Sequence, residues 1–266
     1  MVKLSPPVPG GSGAQGDHVP QKLDPRTGPG SGAELFLDVV TDQLARARAV
    51  NRESVQRAAR MIADTVRADG IVFLFGSGHS ALLALEAAGR AGGFAGVQPI
   101  WDPAIGRAEQ VEGYGSVLAR EVNWGPNSCL FVISHSGRNP APIEMALAGK
   151  AAGLPVAAIT ALDYSKASVS RHSSGKRLFE VVDFVIDTLG VPGDAALDVE
   201  GLAIRTGPTS TVVGAALLDA AIVEAVSLLV ASGVEPPLVR SYNLEGSDSV
   251  NARAGARYRG RVTKVI

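Results

Sequence analysis

Four short apolar runs punctuate the middle of this chain: IVFLF (71–75), CLFVIS (129–134), VAAIT (156–160) and FVID (184–187). Each is unbroken, not alternating, and each is too short to be a core helix. Runs of this kind read as strands buried on both faces. A weaker strand, VQPIW, is expected over 97–101. Helical segments separate the runs: SALLALEAAGRAG, YGSVLAREV, APIEMALAGKAAG opened by Pro140 and Pro142, and the long STVVGAALLDAAIVEAVSLLVASG. Proline is tolerated in a first helical turn. Strand alternating with helix predicts an α/β fold, a parallel sheet between two helical layers.

Two further helices precede the first strand. LFLDVVTDQLARARAV reads as helical, and Asn51 is placed to cap the next helix, where Val55, Ala58, Ala59, Ile62 and Val66 recur at three-and-four spacing. Residues 1–33 are rich in Gly, Pro and Ser without apolar periodicity, so they read as a disordered leader in which His18 has no role. Residues 34–250 read as one domain, and 251–266 as a basic tail.

Composition removes several classes of function. The net charge is −1, which leaves no electrostatic footprint for nucleic acid or an anionic membrane. The one cysteine, Cys129, excludes a disulfide scaffold and sits inside an apolar run, as a core residue would. No histidine cluster has metal-ligand spacing, so no metal is expected. No apolar run is expected to reach membrane-spanning length, and no signal pattern opens the chain, so the expectation is a cytoplasmic protein that does not engage membranes.

In an open parallel sheet, ligands bind beyond the carboxyl ends of the strands. The loops there are GSGHS (76–80), SHSGRNP (134–140) and ALDYSKASVSRHSSGKR (161–177), with TGPTST (206–211) before the last long helix. Hydroxyls and free N–H groups at helix starts suit a phosphate. Two other chemistries share a strand–glycine loop–helix layout. A dinucleotide fingerprint is met by Gly76, Gly78 and Ala81, with Asp102 as the acidic residue, but it leaves SHSGRNP unexplained. A nucleophile elbow would need Gly where Leu82 stands.

FGSGHS, ISHSGRNP, VAAIT and GPTSTVVGAAL together resemble the SIS (sugar isomerase) domain family over roughly residues 34–250. SRHSSGKRLFEVVD and VPGDAALDVEGL are similar to its small stand-alone bacterial members of phosphosugar-isomerase type. The resemblance implies a three-layer αβα sandwich around a five-stranded parallel sheet, flavodoxin- or Rossmann-like. It implies a homodimer or dimer of dimers with the site near the subunit interface. It also implies a sugar-phosphate ligand with neither cofactor nor metal. Carried over by position, Ser77, Gly78 and Ser80 match the first phosphate loop. Ser134, His135, Ser136 and Asn139 match the second, with Asn139 where Thr is usual, and Thr209, Ser210 and Thr211 match the third cluster. Arg138 is a natural further phosphate ligand, since guanidinium grips phosphate in a fork.

Aldose–ketose isomerisation needs a base and a group that opens the ring. The family's two usual glutamate positions fall at Arg90 and Arg205. The residues expected to do the acid–base work instead are Glu86 with His79 and His172. Glu86 also reads as a solvated helix residue, and His172 as part of an exposed basic loop. Glu109 and Glu112, in RAEQVEGYG, a loop placed to close over the site, are further carboxylates that could serve as the base. The expected activity is therefore a phosphosugar isomerase. The alternatives are a phosphosugar sensor that does not turn its ligand over, and a related sugar-phosphate lyase (an etherase).

Overall fold

A computed structural model describes residues 21–24, 28 and 30–263; His18 lies outside them. Strands β2 (Val72–Gly76), β3 (Val97–Ile100), β4 (Cys129–Ile133), β5 (Val156–Thr160) and β6 (Phe184–Asp187) form one sheet. Its order is β3-β2-β4-β5-β6, and every pairing is parallel. The five-stranded parallel sheet of the expected αβα class is thus present.

Helices α1 (Ser31–Val50), α2 (Arg52–Arg67), α3 (Ser80–Glu86), α4 (Tyr114–Arg120), α5 (Pro140–Ala151) and α7 (Ser210–Ala231) cover the sheet, and a short α6 (Leu162–Ala167) follows β5. Alternate residues of a strand face opposite sides, and two cores result. Val72, Leu74, Cys129, Phe131 and Ile159 pack with Ile62 and Val66 of α2 and Leu218 and Ala221 of α7. Phe73, Phe75, Leu130 and Val132 face the other way, onto Ile143 and Met145 of α5. Each such side chain contributes about 1.5–3 kcal/mol on burial. Burial raises the Cys129 thiol to about 12, the state of an inert core residue.

Edge strand β6 is finished by a side chain. Asn51 was expected to cap α2, yet its amide makes no cap hydrogen bond. It accepts from the Asp187 amide at 2.7 Å and donates to the Asp187 carbonyl at 2.7 Å, as a neighbouring strand would. The part-buried backbone of an edge strand needs such partners, and that need outweighs a cap worth about 1 kcal/mol.

Three features depart from the expectations. Within the segment read as a disordered leader, Gln21–Leu23 is a strand, β1. It pairs in parallel with β7 (Ala195–Val199), which also pairs with β8 (Thr206–Pro208), and α1 begins at Ser31. The tail region carries α8 (Ser247–Ala256), and the buried Tyr258 ring lies on Gly96, where a Cβ would come within 2.4 Å of it. Lastly, α7 is long and apolar enough to cross a membrane, contrary to the expectation that no run would be. Val213, Leu217, Leu218, Ala221 and Ala225 turn inward as core residues, whereas Val212, Val223 and Val230 are exposed.

Candidate functional site

Chain order and sheet order diverge at β2: the chain steps outward to β3 and returns on the other side as β4. The carboxyl ends of β2 and β4 therefore diverge in their connections and leave a crevice, the usual ligand position in this topology. The first loop enters it from β2. Gly76 must be glycine, because a Cβ there would lie 2.4 Å from the Ser80 carbonyl oxygen. Gly78 takes a left-handed φ of 58°. Ser80 starts α3, and the Ser77 hydroxyl is buried without a hydrogen-bond partner. His79 is exposed at the start of α3.

The second loop runs from β4 into α5. Gly137, at φ 60°, turns it, and a Cβ there would stand 2.6 Å from Ser165 Oγ. The Gly137 amide donates to Ser134 Oγ at 3.2 Å. Arg138 buries an Nε with no partner. His135 points to the other side of its loop, where its Nε2 lies 2.8 Å from the Val191 carbonyl oxygen. A carbonyl only accepts, so Nε2 carries a proton, and Nδ1 is left buried without a partner. Gly190 leaves room for this ring, since a Cβ there would come 2.4 Å from Cε1. His135, Ser80, Thr188, Ser210 and Thr211 line a cavity of about 20 Å³, enough for one water.

Ser77 Oγ, His135 Nδ1, Arg138 Nε, Thr188 Oγ1 and Thr209 Oγ1 all belong to the loops at this sheet edge. A buried polar group without a partner costs about 1–3 kcal/mol, and such groups in a native fold call for an explanation. A polar ligand at the crevice is one explanation.

The third cluster is organised differently. Asp194 accepts from the Thr209 amide at 3.1 Å, the Ser210 amide at 2.9 Å and Ser210 Oγ at 2.6 Å. Its carboxylate thus satisfies the Thr209 amide and both donors of Ser210, which were read as phosphate ligands, and leaves Thr209 Oγ1 buried without a partner among the described residues. Thr211 remains exposed at the rim of the cavity.

Residues 102–113 fold back over the crevice. The buried Asp102 accepts from the amides of Ala104 (3.0 Å) and Gly106 (2.8 Å) and from the Tyr114 hydroxyl (2.6 Å). This places Gly106 on Gly78, so closely that a Cβ on Gly106 would be 2.7 Å from the Gly78 Cα. The acidic residue that fitted a dinucleotide fingerprint is therefore committed to its own loop. Glu109 reaches the second loop: its Oε1 accepts from Asn139 Nδ2 at 2.8 Å, and its carbonyl accepts from the Ala141 amide at 3.1 Å. Burial, then the nearby Asp102 charge, push the Glu109 carboxyl above its ordinary value.

A strap over 168–177 closes the other flank. Arg171 donates to Asn139 Oδ1 at 3.0 Å, and its amide donates to the Arg138 carbonyl at 2.9 Å. Both ends of the Asn139 amide are thereby engaged within the protein. Glu112 accepts from the Ser173 hydroxyl and amide, and those hydrogen bonds hold its carboxyl below its ordinary value. His172 Nε2 stands 3.7 Å from Glu112 and 3.9 Å from Glu144. Glu144 itself is buried and accepts the amides of Gly113 and Ser116 at the start of α4.

The crevice therefore gathers Ser77, Gly78, Ser80, Ser134, Ser136, Arg138 and Asn139 on two adjacent loops. His135 lies on one flank and His172 on the other. Glu86 lies elsewhere: six residues into α3, it is about 9 Å along the axis from Ser80. There it pairs with Arg90, which also contacts Asp219 at 3.5 Å. Arg205 pairs with Asp198 at 2.9 Å. Four residues, Asp102, Glu109, Glu144 and Arg171, organise the crevice. Glu109 had a signal in RAEQVEGYG as a further carboxylate that could serve, and Asp102 had one in the dinucleotide pattern; Glu144 and Arg171 depend on long-range packing.

Residues 35–161 match the SIS domain family. The UPF0309 protein of Listeria monocytogenes is 42% identical over 223 residues, 84% of this chain and 94% of that protein. The UPF0309 protein of Streptomyces coelicolor is 37% identical over 241 residues, 86% of this chain and 96% of its own length. Among solved structures, phosphoheptose isomerase from Neisseria gonorrhoeae superposes with a TM-score of 0.54 at 17% identity, over 74% of this chain and 97% of that one. At that identity the likeness is one of fold.

Proposed function

This chain belongs to the UPF0309 group of SIS-domain proteins, and we propose that it binds a sugar phosphate at the β2–β4 crevice and interconverts its aldose and ketose forms. The observation that carries this reading is the pair of glycine–serine loops at the switch point, with buried polar groups, Ser77 Oγ and Arg138 Nε, that have no hydrogen-bond partner among the described residues. The Arg138 guanidinium, with the hydroxyls of Ser77, Ser134 and Ser136 on the same two loops, suits a phosphate dianion; the start of α5 adds few donors, because Pro140 and Pro142 carry no N–H and the Ala141 amide is spent on Glu109. A phosphate so held would leave the sugar carbons beneath residues 102–113. No cofactor is needed, because the reaction only moves protons between neighbouring carbons and oxygens.

The test is a thermal-shift panel of aldose phosphates, their unphosphorylated parents and NAD, followed by deuterium exchange at C2 of whichever sugar responds. Stabilisation by the phosphates alone, then exchange, is the expected outcome. Stabilisation by NAD alone would return the first loop to a dinucleotide role.

A second reading, a sensor that binds without turnover, is favoured by one observation. Arg90 and Arg205, at the family's usual glutamate positions, are each ion-paired with a carboxylate, and the partner of Arg90 is Glu86 itself. Binding without exchange would select it. We further propose that the chain associates with itself as a homodimer or dimer of dimers. The exposed Val212 and Val223 of α7 and Leu37 of α1 favour this, because a helix apolar on both faces is usually covered on both.

A further inference from the structure

A proton-transfer carboxylate for this reaction has to satisfy three conditions. It must lie at the crevice, be held in direction, and keep an oxygen free of protein donors. Glu86 fails the first, being a helix length away and paired with Arg90. Asp102 and Glu144 spend their oxygens on the amides of residues 104–106 and 113–116. Glu112 is tied to Ser173, and Asp194 to the start of α7.

Glu109 meets all three. Its loop lies on Gly78 of the first phosphate loop, and its own Oε1 is bonded to Asn139 of the second, so it spans the two loops that form the crevice. Asn139 and the Ala141 amide orient it from α5. No protein hydrogen bond reaches its Oε2 among the described residues. Asn139 is in turn held by Arg171, so a cation sits behind the orienting amide and not on the carboxylate oxygen that would react.

We infer that Glu109 is the catalytic base, supplied from the loop after β3 in place of the glutamate positions that Arg90 and Arg205 occupy. Glu109 takes the C2 proton of the aldose, and the C–H pair becomes the C1–C2 double bond. The carbonyl pair moves onto O1, which receives the proton of the O2 hydroxyl. Glu109 then returns its proton to C1, and C2 becomes the ketose carbonyl. The assignment rests on the sugar-phosphate reading above.

The experiment compares wild type, Glu109→Gln and Glu109→Asp by calorimetric binding of aldose 5- and 6-phosphates and by C2 deuterium exchange. The Glu109→Gln side chain keeps an oxygen for Asn139, so binding is expected within about threefold of wild type. Exchange is expected to fall by about 100-fold or more, the usual worth of a general base. The Glu109→Asp carboxylate, one methylene shorter, retains exchange above the Gln variant, and this also serves if the Gln variant folds poorly. Exchange in Glu109→Gln within about threefold of wild type overturns the assignment and leaves the binding site standing. So does joint loss of binding and exchange in both folded variants, or a wild type that binds without exchanging. A wild type that binds no sugar phosphate overturns the underlying functional reading as well.

Discussion

Glu109 and Glu112, three residues apart on one loop, are pushed in opposite directions: burial and the Asp102 charge raise the first, and hydrogen bonds from Ser173 lower the second. For Glu109 this links pH to stability. Its folded-state pKa is raised, so the folded protein holds that proton more tightly than the unfolded chain. The carboxyl costs nothing well below its unfolded value, and the cost develops as pH rises through the folded value. Glu109→Gln removes it. The melting-temperature difference, variant minus wild type, is expected to be positive at about pH 7.5 and clearly smaller at about pH 4. Calorimetric scans at the two pH values check this, and a constant difference would mean that the carboxyl is not desolvated. Gly106 gives a second residue-scale prediction. At φ 79°, with its would-be Cβ 2.7 Å from the Gly78 Cα, Gly106→Ala forces the two loops apart. Sugar-phosphate binding should weaken at least tenfold while α-helical circular dichroism is retained. Neither contact could be anticipated from local sequence, because Gly106 and Gly78 meet only when the β3 connection folds back.

At the scale of the element, edge strand β6 depends on a side chain from the α1–α2 junction. Asn51→Ala removes these two hydrogen bonds from the part-buried Asp187 amide and carbonyl, and a polar group that loses its partner away from water costs about 1–3 kcal/mol. A loss of about 2–4 kcal/mol is expected in urea unfolding, against about 1 kcal/mol if the residue were only a helix cap. α8 and the tail are anchored similarly. Tyr258→Ala empties the space over Gly96 and should cost about 3–5 kcal/mol. The strands themselves were legible, since unbroken apolar runs of five residues have few other ways to be buried. The short helix over Leu162–Ala167 and the strands β1, β7 and β8 were less so. They carry weak periodicity, and what forms β1 and β8 is pairing with β7, not local propensity.

For the molecule as a whole, the two flanks of α7 carry different information. Its inner face closes a core, and its outer face is an apolar stripe. If the chain self-associates there, Val223→Glu should shift the sedimentation coefficient toward the monomer without lowering the melting temperature of that monomer. An unchanged coefficient would place the interface elsewhere. Strand order, and with it a crevice between the first two site loops, follows from right-handed crossovers that sequence pattern alone does not count out.

What residue order settled here is what short-range physics can settle. Apolar runs too short for helices became strands, glycines at 76, 78 and 137 allowed the tight turns, and serines and amides collected at helix starts. What folding settled is which partners those groups meet. Asp194 reached the α7 start, Asn51 reached an edge strand 136 residues away, and Glu109 spanned two loops. The reason is the reach of the interactions. Turn and strand preferences act over a few residues, whereas hydrogen bonds to buried carboxylates and amides are decided by whichever donors the packed chain brings within about 3 Å.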